Sequence, residues 1–194
     1  MASLFDKLES EAFRKGIQAR SKEASVWFQK KAEELGPIGR KILRDERLEK
    51  KTNTRAGDMC MFVYDPKLKK TLPYYDTFPL SIIVGPAKDG FYGINLHYLP
   101  PKVRAIFLDK LNNTASNQKF NKTTRFKVTY KLLMATKNYK YFKPCFKHYL
   151  TKHVNSSIMK VNAAEWNIAI FLQTAQFKKA TVGSIWADSK KGWV

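Results

Sequence analysis

Leu4, Leu8 and Ala12 recur at four-residue steps, and Val26, Trp27, Ala32 and Leu35 continue a near-helical spacing. The pattern predicts helix over 3–35, with Ser3 as a cap and Asp6 three residues on as an approximate capping box. Gly16 and Ser21 divide it into two helices, Ser21 capping the second, and Gly36-Pro37-Ile38-Gly39 ends it. A short charged helix is expected over roughly 39–51, with Ile42, Leu43 and Leu48 on its apolar side.

The texture then changes to short apolar runs bounded by turn residues. Asp58 to Tyr64 reads as a strand stopped by Asp65-Pro66 and a lysine-rich turn. Thr71 to Val84 ends in a second strand, Gly85 to Gly90 is a loop, and Phe91 to Leu96 is a third strand. Gly93 within that strand suggests a bulge or a close backbone approach. Pro100-Pro101 opens a helix over 101–111, with Val103, Ile106, Phe107 and Leu111 on one side.

The last third is expected to be mostly helical. Helix and strand periods compete over 124–136; residues 145–154 read as helix after Pro144; residues 163–173 are strand or helix. The predicted class is α+β: N-terminal helices, a small twisted antiparallel sheet or partial SH3-like barrel in the middle, and a basic, mostly helical C-terminal third. The expected organisation is a helical arm over 1–55 and a core over 56–194, or both as one domain.

Charge changes this picture. The 194 residues carry a formal net charge of +20, and the 15 basic and 2 acidic residues of 112–194 supply most of it. From Leu111 to Ala164 no acidic residue occurs, yet eleven basic ones do: Lys119, Lys122, Arg125, Lys127, Lys131, Lys137, Lys140, Lys143, Lys147, Lys152 and Lys160. Such a surface repels itself unless a polyanion neutralises it, and nucleic acid is the commonest. Lysine outnumbers arginine there, which favours contact with the phosphate backbone over base reading. Six to eight phosphate contacts would give a slope of log affinity against log salt of about −5 to −7. A chain 44% hydrophobic and 13% aromatic is not a disordered basic tail.

Catalytic and metal chemistry find little support. His148 and His153 lie five apart, about 140° round a helix, so they do not share a face. His97 reads as a polar cap on a buried aromatic cluster. The carboxylates Asp58, Asp65, Asp76, Asp89 and Asp109 are scattered over the sheet region rather than gathered as a metal nuclease needs. Cys145 and His148 can be drawn as a pair on one helix turn, against the plainer reading of Cys60 and Cys145 as buried, reduced thiols. No nucleophile elbow, Walker loop or dinucleotide fingerprint is present, and no catalytic residue, metal site or cofactor is assigned. Met1-Ala2-Ser3-Leu4 running into Asp6, Lys7 and Glu9 predicts no secretory signal, and no apolar run is long enough to span a membrane. Tyr74, Tyr75, Tyr139, Tyr141 and Phe142 are candidates for stacking on bases.

Several segments resemble a known family. Phe62-Val63-Tyr64-Asp65-Pro66-Lys67, the run from Thr71 to Leu80, Gly90-Phe91-Tyr92-Gly93-Ile94-Asn95-Leu96-His97-Tyr98-Leu99-Pro100-Pro101 and the run from Tyr141 to Leu150 carry the likeness. Phe5, Ala12-Phe13-Arg14 and Trp27-Phe28 fit it as well. The chain is similar over nearly its whole length to the DNA end protectors of T-even-like tailed phages, marine cyanophages among them. That resemblance implies a minor virion protein, present in the host cytoplasm after infection, that sits on the ends of packaged double-stranded DNA and shields them from the host's exonuclease. Trp186, Trp193, Tyr74 and Tyr75 are candidates for stacking on a terminal base pair.

The alternative is a structural protein of the neck, tail or baseplate, meeting portal, neck or tail proteins. The N-terminal helices would then pack on a neighbour through Leu4, Leu8, Phe13, Trp27 and Phe28. A third class, an enzyme acting on nucleic acid, requires a carboxylate cluster facing the basic surface.

Overall fold

The computed structural model describes residues 4–18, 21–36, 49–51, 55–115, 122–140 and 142–191. Helix α1 spans Leu4–Arg14 and α2 spans Lys22–Leu35, divided where the sequence divides them. Phe5, Leu8 and Ala12 line the buried side of α1 at the three- and four-residue steps of one helix face. Ser21 is extended, and its hydroxyl accepts a 2.9 Å hydrogen bond from the Ala24 N–H, an amide with no partner inside the helix. Gly36, at φ 62°, returns its N–H to the Ala32 carbonyl and ends α2 in the conformation glycine favours.

The strands and later helices follow in chain order: β1 (Glu49–Lys51), β2 (Met59–Met61), β3 (Tyr75–Asp76), β4 (Leu80–Ala87), β5 (Gly90–Asn95), α3 (Pro101–Ala115), α4 (Lys122–Ala135), β6 (Phe146–Leu150), β7 (Ile158–Val161), α5 (Trp166–Ala169), β8 (Phe177–Lys178) and α6 (Val182–Lys191). Six strands form an antiparallel sheet in the order β1-β7-β2-β4-β5-β6, and β3 pairs with β8. The sheet ends at β1 and β6, and among the described residues no ladder joins those ends.

Three expectations are corrected. Residues 145–154 are not a helix: they form β6 and a 3₁₀ turn at Thr151–His153. Pairing with β5 overrides the local tendency, from Gly90 against Leu150 to Ile94 against Phe146. Glycine permits this approach, because a Cβ at Gly90 would sit 1.8 Å from the Tyr149 carbonyl oxygen. Residues 49–51 are strand, not helix, held against β7; the rest of the predicted 39–51 helix lies outside the described residues. Gly85 to Ala87 belong to β4, so the expected loop shrinks to Lys88-Asp89, where Asp89 takes φ 59°. The last third therefore supplies two of the six sheet strands and β8 alongside its helices.

Alternation along the strands creates two faces. Met59, Met61, Leu80, Ile82, Ile94, Met159 and Val161 point to one side and join Phe5, Leu8, Phe28, Leu108 and Ile168 in the main core. Cys60, Phe62, Tyr64, Ile83, Phe91 and Tyr149 form a smaller cluster on the other. Phe62 is its centre, edge-on to Tyr64, Phe91 and Tyr149 with ring centroids 5.1–6.3 Å away.

Candidate nucleic-acid interface

The predicted basic residues that are described spread over α4, the segment before β6, β6 itself, the turn after it and β7. Lys119 lies outside the described residues; Lys122, Arg125 and Lys127 fall on α4. Lys131 is exposed near the end of that helix, Lys137, Lys140 and Lys143 are exposed in the segment leading to β6, and Lys152 is exposed in the turn after it. Among the described residues, no carboxylate forms an ion pair with any of these five. Lys160 differs: its ammonium is 2.9 Å from the Asp58 carboxylate. Counting acids along the chain could not find that partner, which the β2–β7 pairing brings across the sheet.

Lys147 also leaves the exposed set. It faces the second side of the sheet, opposite Gly93 of β5. Its Nζ lies 4.0 Å from the centroid of the Tyr98 ring, a cation–π contact. Burial pulls its pKa down to about 8, against smaller opposing effects of Cys145 and Asp76. Beside it opens a cleft of about 330 Å³ walled by Tyr64, Tyr74, Tyr75, Tyr98 and Tyr149 and by the 66–72 turn. Gly93, opposite Lys147, packs closely behind Tyr149: a Cβ there would lie 2.3 Å from Ser81 Oγ and 3.1 Å from the Tyr149 ring. Tyr64, buried in the cleft wall, accepts the Leu150 N–H on its hydroxyl at 3.1 Å.

More cations lie in the cleft wall and on the neighbouring strand. Lys67 lines the cleft, and Lys178 is opposite Tyr75 in the β3–β8 pair. Lys179 holds φ 68°, a left-handed conformation unusual for a side chain of its kind, and donates from Nζ to the carbonyls of Lys70 and Leu72 at 2.9 Å each. That contact ties the lysine-rich turn to β8. Lys69 is engaged by Asp65 at 2.8 Å.

Behind the cleft lies a buried polar network. Asp76 Oδ1 accepts the N–H groups of Phe78 and Gln176, at 2.9 and 3.2 Å. Its Oδ2 accepts from Asn95 Nδ2 at 3.0 Å and from His97 Nδ1 at 2.7 Å. Burial works to raise the Asp76 pKa, but His97 and these donors outweigh it and hold the carboxylate below its ordinary range. Burial also lowers His97, which keeps the imidazole neutral, with Nδ1–H towards Asp76 and Nε2 accepting from the Thr174 hydroxyl at 2.8 Å. Arg104 is buried alongside, donating to the carbonyls of Leu99, Ile170 and His97, its pKa lowered to about 10 by burial. The order Asp–His–Thr has the form of a proton relay, but Thr174 is 1% exposed and outside the cleft wall. The network pins β3, the turn after β5 and the 174–176 segment together.

Other candidates separate in space. Cys145 is fully buried, its thiol pushed up to about 12 by burial, while His148 is exposed and bonded to the Lys88 carbonyl, so the drawn Cys–His pair does not form. His153 uses Nδ1 on the Asp65 carbonyl. Among the described residues no group of three or more His, Cys, Asp or Glu is placed to hold a metal, and no helix is long and apolar enough to cross a membrane. Tyr139 is exposed, Phe142 is buried against Phe107, and Tyr141 and Trp193 lie outside the described residues. Trp186 is partly buried and donates its indole N–H to the His97 carbonyl. The sequence nominated Tyr74 and Tyr75 but missed Tyr64, Tyr98, Lys67, Lys178 and Lys179, which no local spacing links to them.

Over residues 7–191 the chain matches the family described as Phage T4 terminal DNA protecting protein. No curated protein and no solved structure matches it.

Proposed function

The chain belongs to the phage T4 terminal DNA protecting protein family, which makes it a phage protein of DNA-end protection, and on that premise we propose that it binds the ends of double-stranded DNA without reading sequence and shields them from host exonuclease. The observation that carries the binding mode is the exposed set Lys131, Lys137, Lys140, Lys143 and Lys152, none of them in an ion pair among the described residues. Lysine is a point charge on a flexible stem, suited to phosphates at any sequence. Five such contacts give a salt slope of about −4.5. No chemical step is required of a cap: an ordered body on the end denies the exonuclease its substrate. We read the protein as a non-enzymatic virion component carried into the host with the DNA.

The test is competition between a short linear duplex and the same duplex closed into a covalent circle, at two salt concentrations. Preference for the linear form, weakened by salt, supports the proposal, and protection from a processive exonuclease follows. Equal binding to both would overturn end recognition.

A second reading, assembly with a neck, tail or portal protein, has one observation in its favour. Phe13 of α1 is 84% exposed and Val26 of α2 is 69% exposed. Phe13, Ile17 and Phe28 border a groove of about 580 Å³. An apolar contact there would persist at salt concentrations that abolish DNA binding.

A further inference from the structure

We propose that the tyrosine-walled cleft on the second face of the sheet receives the terminal nucleotide of a DNA strand, with its terminal phosphomonoester against Lys147. The inference rests on the end-binding reading and supplies what the exposed lysines lack, a way to tell an end from the interior.

Four observations converge. Lys147 is a largely buried cation whose ammonium rests on the Tyr98 ring and which, among the described residues, has no carboxylate in ion-pair contact. A largely buried charge with no carboxylate in direct contact is costly, and an arriving phosphate supplies that contact. The half-buried Tyr74 and Tyr75 side chains line the same space and offer π-faces to a base of any identity, while the buried Tyr64 ring backs the wall. Asp76 is in the wall as well, but its two oxygens already accept four hydrogen bonds and Arg104 lies close by, so it does not repel an anion as a bare carboxylate would. The volume, about 330 Å³, is at the small end of ligand sites and admits one nucleotide but not a duplex.

That size is the source of selectivity. Interior phosphates are diesters flanked on both sides by the helix and cannot enter, whereas the last nucleotide of a strand can fray into the cleft while the adjoining backbone meets Lys67 in its wall. A terminal phosphomonoester carries more charge than a diester and exposes more acceptor oxygens, so it is the better partner for a desolvated ammonium. The depressed pKa of Lys147 agrees with a site that gains when an anion arrives.

Binding of the full chain to four probes tests this: a covalently closed duplex, and the linear duplex ending in 5′-phosphate, in 3′-phosphate or in hydroxyls only. The expected result is about tenfold tighter binding of a phosphate-ended duplex than of the hydroxyl-ended one, the worth of one charge-assisted contact. In Lys147→Met, which keeps the length of the stem, that ratio falls below about twofold. The wild-type ratio needs no variant, so a misfolded variant does not remove the test. Equal binding of all linear forms, still tighter than the circle, overturns the cleft assignment and leaves end binding intact. Linear and circular forms binding equally overturns end binding itself and the inference with it. A phosphate preference that persists in Lys147→Met overturns the role given to Lys147. Displacement of the phosphate-ended duplex by equimolar deoxyadenosine monophosphate would assign the cleft to a free nucleotide and overturn the DNA assignment.

Discussion

His97 Nδ1 lies 2.7 Å from Asp76 Oδ2, with both side chains buried, so one short contact joins residues 21 positions apart behind the tyrosine cleft. Asp76→Asn replaces a carboxylate that accepts four hydrogen bonds by an amide that can match only some of them. The expected cost is about 3–5 kcal/mol of unfolding free energy, the range for breaking a buried pair from one side. Urea denaturation at neutral pH measures it, and a loss under about 1 kcal/mol would show that the network is not a structural tie.

The same pair predicts acid sensitivity. Asp76 is held below its ordinary carboxylate range, so its contribution is present above about pH 4 and is lost as pH falls through the lower folded value. His97 is also held below its ordinary value; its contribution is present above about pH 6.5 and is lost below it, because the unfolded chain takes up that proton first. Unfolding free energy should decline on acidification from about pH 6.5 and more steeply below about pH 4. In Asp76→Asn the steeper lower part should flatten.

Lys147 has the opposite window. With its folded pKa lowered to about 8, the unfolded chain binds more protons above that pH, so this group adds stability as pH rises towards the ordinary lysine range. Relative to Lys147→Met, wild-type stability should gain about 1–2 kcal/mol between pH 8 and pH 10. Taking the difference cancels the exposed lysines and the buried Tyr98 and Tyr149, whose raised values act at higher pH. A flat difference would mean that Lys147 is solvated.

Replacing Lys131, Lys137 and Lys140 by Gln should weaken DNA binding and lower the steepness of the salt dependence by about 0.9 for each phosphate that a lysine no longer neutralises. Thermal stability should hold, because all three side chains are exposed. An unchanged salt slope would place the phosphates elsewhere on the surface.

Cys60 and Cys145 are both 0% exposed, and the Cys145 thiol is pushed up to about 12 by burial. Neither should react with a thiol reagent in the native protein at pH 8, and both should react in urea. Rapid native labelling of Cys145 would contradict its place in the core.

Gly93→Ala sets a methyl against Ser81 Oγ and the Tyr149 ring. Overpacking of this kind costs about 1–3 kcal/mol, and any movement of Tyr149 also alters the cleft wall. Thermal unfolding of the variant reads the first effect, and the phosphate-end preference reads the second.

The limits of sequence reading appear in particular residues. The α1–α2 division was legible because Ser21 and Gly36 act within a few positions of themselves. Gly93 signalled its close contact for the same reason, a missing side chain where two strands meet. Residues 145–154 misled, because Cys-Phe-Lys-His-Tyr-Leu after a proline suits a helix locally, and the ladder to β5 lies over fifty positions away. Thr174 could not be linked to His97 from order alone, the two lying 77 positions apart.

Residue order by itself determined the N-terminal helices, the β4–β5 hairpin, the mixed α+β class and the excess of positive charge. Helical period, caps, tight turns and net charge are local or additive quantities. Tertiary structure decided what each lysine does. The β2–β7 pairing gives Lys160 the carboxylate of Asp58, and the β5–β6 pairing turns Lys147 onto Tyr98, while Lys131, Lys137, Lys140, Lys143 and Lys152 remain facing water. Electrostatic partnership depends on separations of a few ångströms between residues remote in sequence, and only the folded chain sets those distances.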